Sequence, residues 1–208
     1  MGDGRASGDR RRSPKLTPAQ RRDERAGVTD PAEVLEAGAR FLEARPRSVA
    51  EVRRKLARVG YDPGLVIGAV ERLGELGLLD DEAFARWWVE SRDRAKPRGE
   101  HLLRAELGLK GVDRSVVDAV LGDRRDDAEV AAAARDEDPV SADEAAAERL
   151  LRRKLGPFLR EPDPRRRAQR AYSLLARSGF SPDVCSSVAK RVLGEAAAGA
   201  ADGDLNDD

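Results

Sequence analysis

The sequence predicts an all-α protein, an elongated tandem array of three three-helix repeats. Aromatic residues make up 4% and charged residues 38% of the 208 positions, a composition that suits thin helical layers better than one thick core. From Pro31 to Leu193, apolar residues recur at spacings of three and four, the period of an amphipathic helix. The strongest indication of repeats is a glycine-centred pattern that occurs three times.

This pattern centres on Gly60, Gly111 and Gly179. A leucine stands four residues before each glycine, an apolar residue follows it, and a helix-capping residue comes next. The leucines are Leu56, Leu107 and Leu175, the apolar residues are Tyr61, Val112 and Phe180, and the caps are Asp62, Asp113 and Ser181. A left-handed glycine that ends one helix, followed by a hydrophobic staple and an N-cap, is a physical signature of a tight helix-to-helix turn. Three matched copies predict duplicated units without strands.

Repeat 1 is predicted to span residues 30–79. Pro31 is well placed in a first helical turn after Asp30. Ser48 and Glu51 form a capping box that begins the second helix. Asp62-Pro63 begins the third.

Repeat 2 is predicted to span residues 80–122. Asp80 and Asp81 favour a helix start. Phe84, Trp87, Trp88 and Ser91 then fall along one helical stripe. Since adjacent helical residues lie 100° apart, we expect one tryptophan in the core and the other partly exposed, where it can contact a base or a partner. Pro97 breaks the helix, and the next one ends at Gly111.

Repeat 3 is predicted to span residues 141–193, beginning at the capping box Ser141–Glu144. Three other segments are predicted to lie outside the repeats. Residues 1–29 are a basic, disordered arm with few apolar residues. Residues 123–140 are an acidic linker or insertion, poorly packed, and residues 194–208 are a disordered acidic tail.

The formal net charge of zero conceals a strong segregation of charge along the chain. Residues 148–193 contain twelve Lys and Arg against four acids, whereas residues 123–147 contain nine acids against three arginines. In repeat 3, Arg149, Arg152 and Arg153 share one helical stripe, and Arg166, Arg170 and Arg177 share another. These six arginines predict a face for phosphate or for an acidic protein surface, the alternative being a solvated charged face.

No pattern for chemistry is present: no phosphate-binding loop, zinc spacing or nucleophile beside a base. We therefore expect no enzymatic activity, cofactor or metal. Asp80 and Asp81 are better explained as caps than as paired carboxylates, and His101 as a surface residue. Cys185 stands alone, which excludes an internal disulfide, and fits a buried thiol. No apolar run approaches the ~20 residues of a membrane span, and the first residues have no secretory h-region. A cytoplasmic monomer is expected.

The second repeat also resembles a known family, the RecX proteins. The resemblance rests on Leu79–Ala85 (LDDEAFA), on the tryptophan pair with Val89 and Arg92, on Lys96–Gly99, and on Glu106-Leu107 with Lys110–Val112. It extends over about residues 34–193 and is strongest in repeat 2. The acidic insertion and both tails lie outside the family pattern.

The resemblance implies a partner, the RecA recombinase filament, with the chain lying in the filament groove and bridging protomers. It implies restraint of filament growth, ATPase activity and strand exchange, and so a role in recombination, DNA repair and the SOS response. Single- or double-stranded DNA is a further expected partner. The candidate contacts in repeat 2 are Trp88, Arg92, Lys96, Arg98 and Lys110. A helix-turn-helix DNA-binding protein and a helical scaffold for another protein remain as alternatives.

Overall fold

The computed structural model describes residues 17–134 and 140–203, and within those ranges every regular element is an α-helix. Repeat 1 contains α2 (Pro31–Glu43), α3 (Val49–Val59) and α4 (Pro63–Glu75), preceded by α1 (Pro18–Ala26). Repeat 2 contains α5 (Asp81–Ala95), α6 (Glu100–Lys110) and α7 (Arg114–Ala133). Repeat 3 contains α8 (Ala142–Arg152), α10 (Pro164–Arg177) and α11 (Pro182–Gly203), with the short α9 (Leu155–Leu159) after α8. The predicted all-α repeat array is confirmed.

The helix boundaries follow the predicted caps. Ser48 and Ser141 each accept a hydrogen bond from the amide three residues later, and both capping boxes are complete. The glycines Gly60, Gly111 and Gly179 adopt φ of 110°, 80° and 86°, the left-handed region that side chains rarely enter. The sequence pattern therefore identified all three turns between second and third helices.

Each repeat encloses its own small hydrophobic core. Val34, Leu56 and Leu73 are among the most buried residues of the first core, and Leu107 and Leu175 occupy the place of Leu56 in the other two. Each of these leucines is essentially inaccessible, and burying such a side chain contributes about 2 kcal/mol. Cys185 is fully buried in the third core, as predicted.

The amino-terminal arm differs from the prediction where the structure describes it. Residues 17–26, placed in the disordered arm, contain α1 because Thr17 and Gln20 form a complete capping box and Pro18 is at the first helical position. Residues 1–16 lie outside the described residues.

The segment predicted as an acidic linker differs more strongly from its prediction. Its first half is the continuation of α7 to Ala133, and Ala132 is buried. Arg124, within the same stretch, is held between the carboxylates of Asp93 and Asp143, and only 9% of its side chain is exposed. These contacts hold residues 123–133 against repeats 2 and 3. Residues 135–139 lie outside the described residues.

The carboxyl-terminal boundary is later than predicted. Helix α11 continues through Glu195 to Gly203, because the alanine-rich segment favours a helix and Arg152 pairs with Glu195 at 2.7 Å. Residues 204–208 lie outside the described residues. Helix α9 is a further difference, since three helices were predicted for repeat 3.

Successive repeats are connected by a joint between their second helices. At the joint of repeats 1 and 2, the last turn of α6 lies on the first turn of α3. Ser48 Oγ donates to the Lys110 carbonyl at 2.7 Å. A Cβ added to Gly111 would lie 2.5 Å from the Cβ of Ala50, so glycine is required for this approach.

The joint of repeats 2 and 3 has the same form. The last turn of α10 lies on the first turn of α6, where the Gly99 amide donates to the Ser178 carbonyl at 3.0 Å. A Cβ on Gly179 would lie 2.3 Å from the Cβ of Leu102. The turn glycines therefore end a helix and also allow one repeat to approach the next.

Each joint is completed by an aspartate of the following repeat. The first amide of α3, at Val49, donates to Asp81 Oδ1 at 2.9 Å, and the first amide of α6, at Glu100, donates to Asp143 at 3.0 Å. Asp81 thus serves the neighbouring repeat rather than its own helix, whose cap is Asp80 alone. Paired carboxylate chemistry is not supported here, because the two side chains have separate backbone partners.

Candidate functional site at the joint of repeats 1 and 2

Trp88 lies at the centre of the candidate site and is surrounded by charged groups. Its Nε1 donates to Glu106 at 2.9 Å, while the guanidinium of Arg92 lies 4.3 Å and the ammonium of Lys110 lies 4.9 Å from the ring centroid. Both Trp87 and Trp88 are partly buried, so the predicted division into one core and one exposed tryptophan is not observed. Trp88 therefore positions Arg92 and Lys110, and its contact with a base or a partner stays a prediction.

Glu106 holds two arginines beside this ring. Arg92 Nε donates to its carboxylate at 2.7 Å, and Arg98 Nε lies 3.7 Å from the same group. The α5 helix and the segment after Pro97 are thus fixed to α6 by one carboxylate. The Glu106 carboxylate is shared by two guanidinium groups, so the net charge of this group of side chains is positive.

Glu51 plays the corresponding part in repeat 1. It accepts hydrogen bonds from Lys110 at 3.0 Å and from Arg45 at 3.3 Å. Burial by itself would raise the pKa of the Glu51 carboxyl. The hydrogen bonds from Lys110 and Arg45 outweigh the effect of burial, so the pKa lies below its ordinary value. Glu51 therefore stays ionised, and Lys110 connects the two repeats by contacting both Glu51 and Trp88.

Two further cations lie on the ring of Phe41. Arg47 is 4.3 Å and Lys55 is 5.6 Å from the ring centroid. The pKa of Arg47 is lowered by burial and by the like charge of Arg45, both of which oppose a further uncompensated positive charge. An anion placed beside Arg45 and Arg47 would relieve this repulsion.

We call the connected set the junction surface. Its cations are Arg45, Arg47, Arg54, Lys55, Arg92, Arg98 and Lys110, and its acids are Glu51 and Glu106. Arg54 joins it by donating to the Lys110 carbonyl at 3.1 Å. Asp81, which accepts from the Val49 amide, is a third acid at this joint, and seven positive against three negative side chains give a surface suited to an anionic partner.

Arg47 and Arg98 occupy equivalent positions of repeats 1 and 2. Each lies just before the N-cap of a second helix, within Arg45-Pro46-Arg47 or Lys96-Pro97-Arg98. Each also has a buried Nε without a hydrogen-bond partner, and no other side-chain nitrogen or oxygen in the described parts of the chain shares that state. A buried donor left unpaired costs about 1–3 kcal/mol, so its recurrence at matched positions indicates a role beyond packing.

Of the contacts predicted in repeat 2, the structure brings four together at the junction surface: Trp88, Arg92, Arg98 and Lys110. Lys96 is exposed at the end of α5 and is not part of this connected set. The sequence reasoning missed the repeat 1 contribution, which includes Arg45 and Arg47. Aligning Gly60 with Gly111 places the two Pro-Arg segments in register, and this signal was available from the sequence.

The arginines of repeat 3 have acidic or carbonyl partners. Arg152 pairs with Glu148 and Glu195, both at 2.7 Å, and Arg153 donates to the Arg94 carbonyl at the end of α5. The arginine stripe of α8 therefore carries acids as well, because Glu195, 43 positions from Arg152, folds back onto it, and its role in binding stays a prediction.

The other repeat 3 candidates have a similar environment. Arg149 lies 3.8 Å from Asp93, Arg166 lies 3.5 Å from Asp163 and Arg170 lies 3.4 Å from Glu161, while Arg177 is exposed. Arg149 and Arg153 thus help connect repeat 3 to repeat 2. We take the junction surface as the candidate functional site, because it lies between the two repeats in which Arg47 and Arg98 have buried donors at matched positions.

The described parts of the chain contain neither a candidate metal site nor a candidate membrane span. No group of three His, Cys, Asp or Glu side chains there is arranged to hold a metal ion. None of the helices in those ranges combines the length and apolar character that crossing a bilayer requires. His101 is exposed on α6.

The fold and its surface define a tandem helical-repeat protein with a cationic face at its first joint. Comparison with known proteins identifies the family. The profile of the first three-helix domain of RecX matches residues 35–73, and that of the second matches residues 80–121. The chain belongs to the RecX family.

Individual relatives agree with this assignment. The regulatory protein RecX of Mycobacterium sp. (strain JLS) is 39% identical over 150 residues, which cover 72% of this chain and 75% of that protein. The regulatory protein RecX of Chlorobium phaeobacteroides (strain BS1) is 33% identical over 152 residues, covering 73% and 88%. The crystal structure of RecX from Lactobacillus salivarius shares the fold, with a TM-score of 0.58 at 19% identity over 77% of this chain and 95% of that one.

Proposed function

We propose that this protein is a non-enzymatic regulator of the RecA recombinase. It binds the RecA filament in the cytoplasm, lies along the filament groove, and restrains filament growth, ATP hydrolysis and strand exchange. By doing so it modulates recombination, DNA repair and the SOS response. Membership of the RecX family supports the regulatory role, and the tandem array supports binding along a groove, because successive repeats can contact successive protomers.

The single observation that carries the site assignment is the junction surface. It joins repeats 1 and 2, which are the two repeats that match the family domains. Its seven cations outnumber the three acids at the joint, and the buried Nε groups of Arg47 and Arg98 have no hydrogen-bond partner. We assign the junction surface as the face that contacts the anionic surface of the filament.

The expected result of adding the protein to RecA filaments on single-stranded DNA is a lower rate of ATP hydrolysis at substoichiometric concentrations. The physical reason is that one array bridging protomers restricts more than one of them. ATPase rate and strand-exchange yield measure the effect, and the protein without RecA is the control for hydrolysis of its own. An unchanged filament ATPase rate at saturating protein would contradict the proposal.

DNA is the second candidate ligand of the same surface, favoured by the two arginines at matched positions before helix starts. Phosphate contacts with single-stranded DNA each add about 0.7 to the slope of log affinity against log salt. Titrating a single-stranded oligonucleotide without RecA at several salt concentrations tests this candidate. Binding that needs RecA at every salt concentration would rule it out.

A further inference from the structure

The end of α3 lies against α1, as the ends of α6 and α10 lie against the starts of α3 and α6, but at the fifth residue of α1 instead of the second or third residue. A Cβ added to Gly60 would lie 2.8 Å from the Arg22 carbonyl oxygen and 2.7 Å from Arg22 Cγ. In all three cases a left-handed glycine at the end of a second helix lies against the first two turns of another helix. Helix α1 therefore occupies the place that the second helix of a preceding repeat would take.

The attachment of α1 is slight. No side chain of α1 is buried, and its contact with repeat 1 outside Gly60 includes the Arg25 guanidinium, 6.0 Å from the centroid of the Tyr61 ring. A nine-residue helix is marginally stable by itself. Because it shares no core with repeat 1, α1 can be released without unfolding that repeat.

At the other end of the array, the start of α10 is the position where a fourth repeat would dock. Pro164, Arg165 and Ala168 are exposed there. Helix α10 also begins as α1 does, with an oxygen-bearing cap followed by a proline: Asp163-Pro164 in α10 and Thr17-Pro18 in α1. Ala168 is the fifth residue of α10, as Arg22 is of α1. The start of α10 thus offers the end of α3 a helix of the kind that α1 already provides.

We propose that the end of α3 in one copy of this protein docks on the start of α10 in a second copy, and that α1 closes this surface in the free monomer. The contact is head-to-tail, so it extends the array instead of closing a dimer. Terminal caps that block such extension are a general need of repeat proteins.

Sedimentation equilibrium of the full chain over a range of concentrations tests the proposal. Arg22→Pro breaks α1 in its interior and removes the side chain against Gly60. Because α1 no longer competes for the surface, we expect self-association to strengthen by at least about tenfold relative to the parent. A variant that stays monomeric wherever the parent does would overturn the proposal.

A matched pair of second substitutions identifies the docking surface. Ala168→Glu added to Arg22→Pro places a bulky charge on the start of α10 and should restore the monomer. Ala119→Glu, at an exposed alanine of α7, should leave the association unchanged. Association that survives Ala168→Glu would contradict docking on α10.

A milder variant is available in case Arg22→Pro loses the cooperative thermal transition of the repeats. Thr17→Val with Gln20→Met removes both halves of the α1 capping box without a proline. The same order of association is expected, with the same reversal by Ala168→Glu. A monomer for this variant too would overturn the proposal.

Discussion

Replacing Arg124 with methionine is expected to lower the free energy of unfolding by about 3–5 kcal/mol, since it removes the cation that two partly buried carboxylates share. Arg124 donates to Asp93 at 2.9 Å and to Asp143 at 2.7 Å. Burial lowers the pKa of the Arg124 guanidinium, but the two carboxylates outweigh burial and raise it above its ordinary value. Methionine fills much of the space and supplies no charge, so both aspartates lose their shared partner.

The adjacent residue provides a matched control. Arg125 has a side chain that is 51% exposed and pairs with Glu100 at 2.8 Å. Arg125→Met is expected to cost less than about 1 kcal/mol, as exposed ion pairs do. Urea denaturation followed by circular dichroism compares the two. If both substitutions lower the free energy of unfolding equally, Arg124 does not hold residues 123–133 against repeats 2 and 3.

Replacing Gly179 with alanine is expected to destabilise the protein by about 2–5 kcal/mol through two effects. The left-handed backbone at φ 86° costs a side-chain-bearing residue about 1–2 kcal/mol. The new methyl group would also meet Leu102, 2.8 Å from its backbone nitrogen, and such overpacking adds about 1–3 kcal/mol. The steric overlap with Leu102 would push repeats 2 and 3 apart at their joint.

Gly77 separates the two effects. Its φ of 67° is also left-handed, but a Cβ there meets no atom within 4 Å. Gly77→Ala should therefore cost only the backbone strain, about 1–2 kcal/mol. Thermal unfolding of both variants gives the difference. If Gly77→Ala is as damaging as Gly179→Ala, the close approach of the repeats contributes nothing to stability.

Local signals explain why much of the fold was predictable from the sequence. The cap at Ser48 and the left-handed turn at Gly60 each depend on residues within four positions, and their recurrence gave the number of repeats. The buried leucine before each glycine followed from the same periodicity. These features require no knowledge of which helices pack together.

The joints and the junction surface depend on contacts between distant parts of the chain. Arg124 looked like part of an acidic linker because its partners, Asp93 and Asp143, are 31 and 19 positions away. Arg152 looked uncompensated because Glu195 is 43 positions away. Composition within a segment cannot reveal such pairing, which the stacking of repeats creates.

The central claim is that the junction surface contacts the RecA filament, and the affinity of a double variant for that filament tests it most directly. Arg47→Gln with Arg98→Gln removes both repeat-matched guanidinium groups, whereas Arg53→Gln removes an exposed arginine on the other flank of α3. Fluorescence anisotropy with filaments on single-stranded DNA gives the affinities, with unfolding curves as a check that each variant is folded. The double variant should bind about 10- to 100-fold more weakly than the parent, the equivalent of about 1.4–2.8 kcal/mol, and Arg53→Gln should bind like the parent. Parental affinity in the folded double variant would contradict the claim.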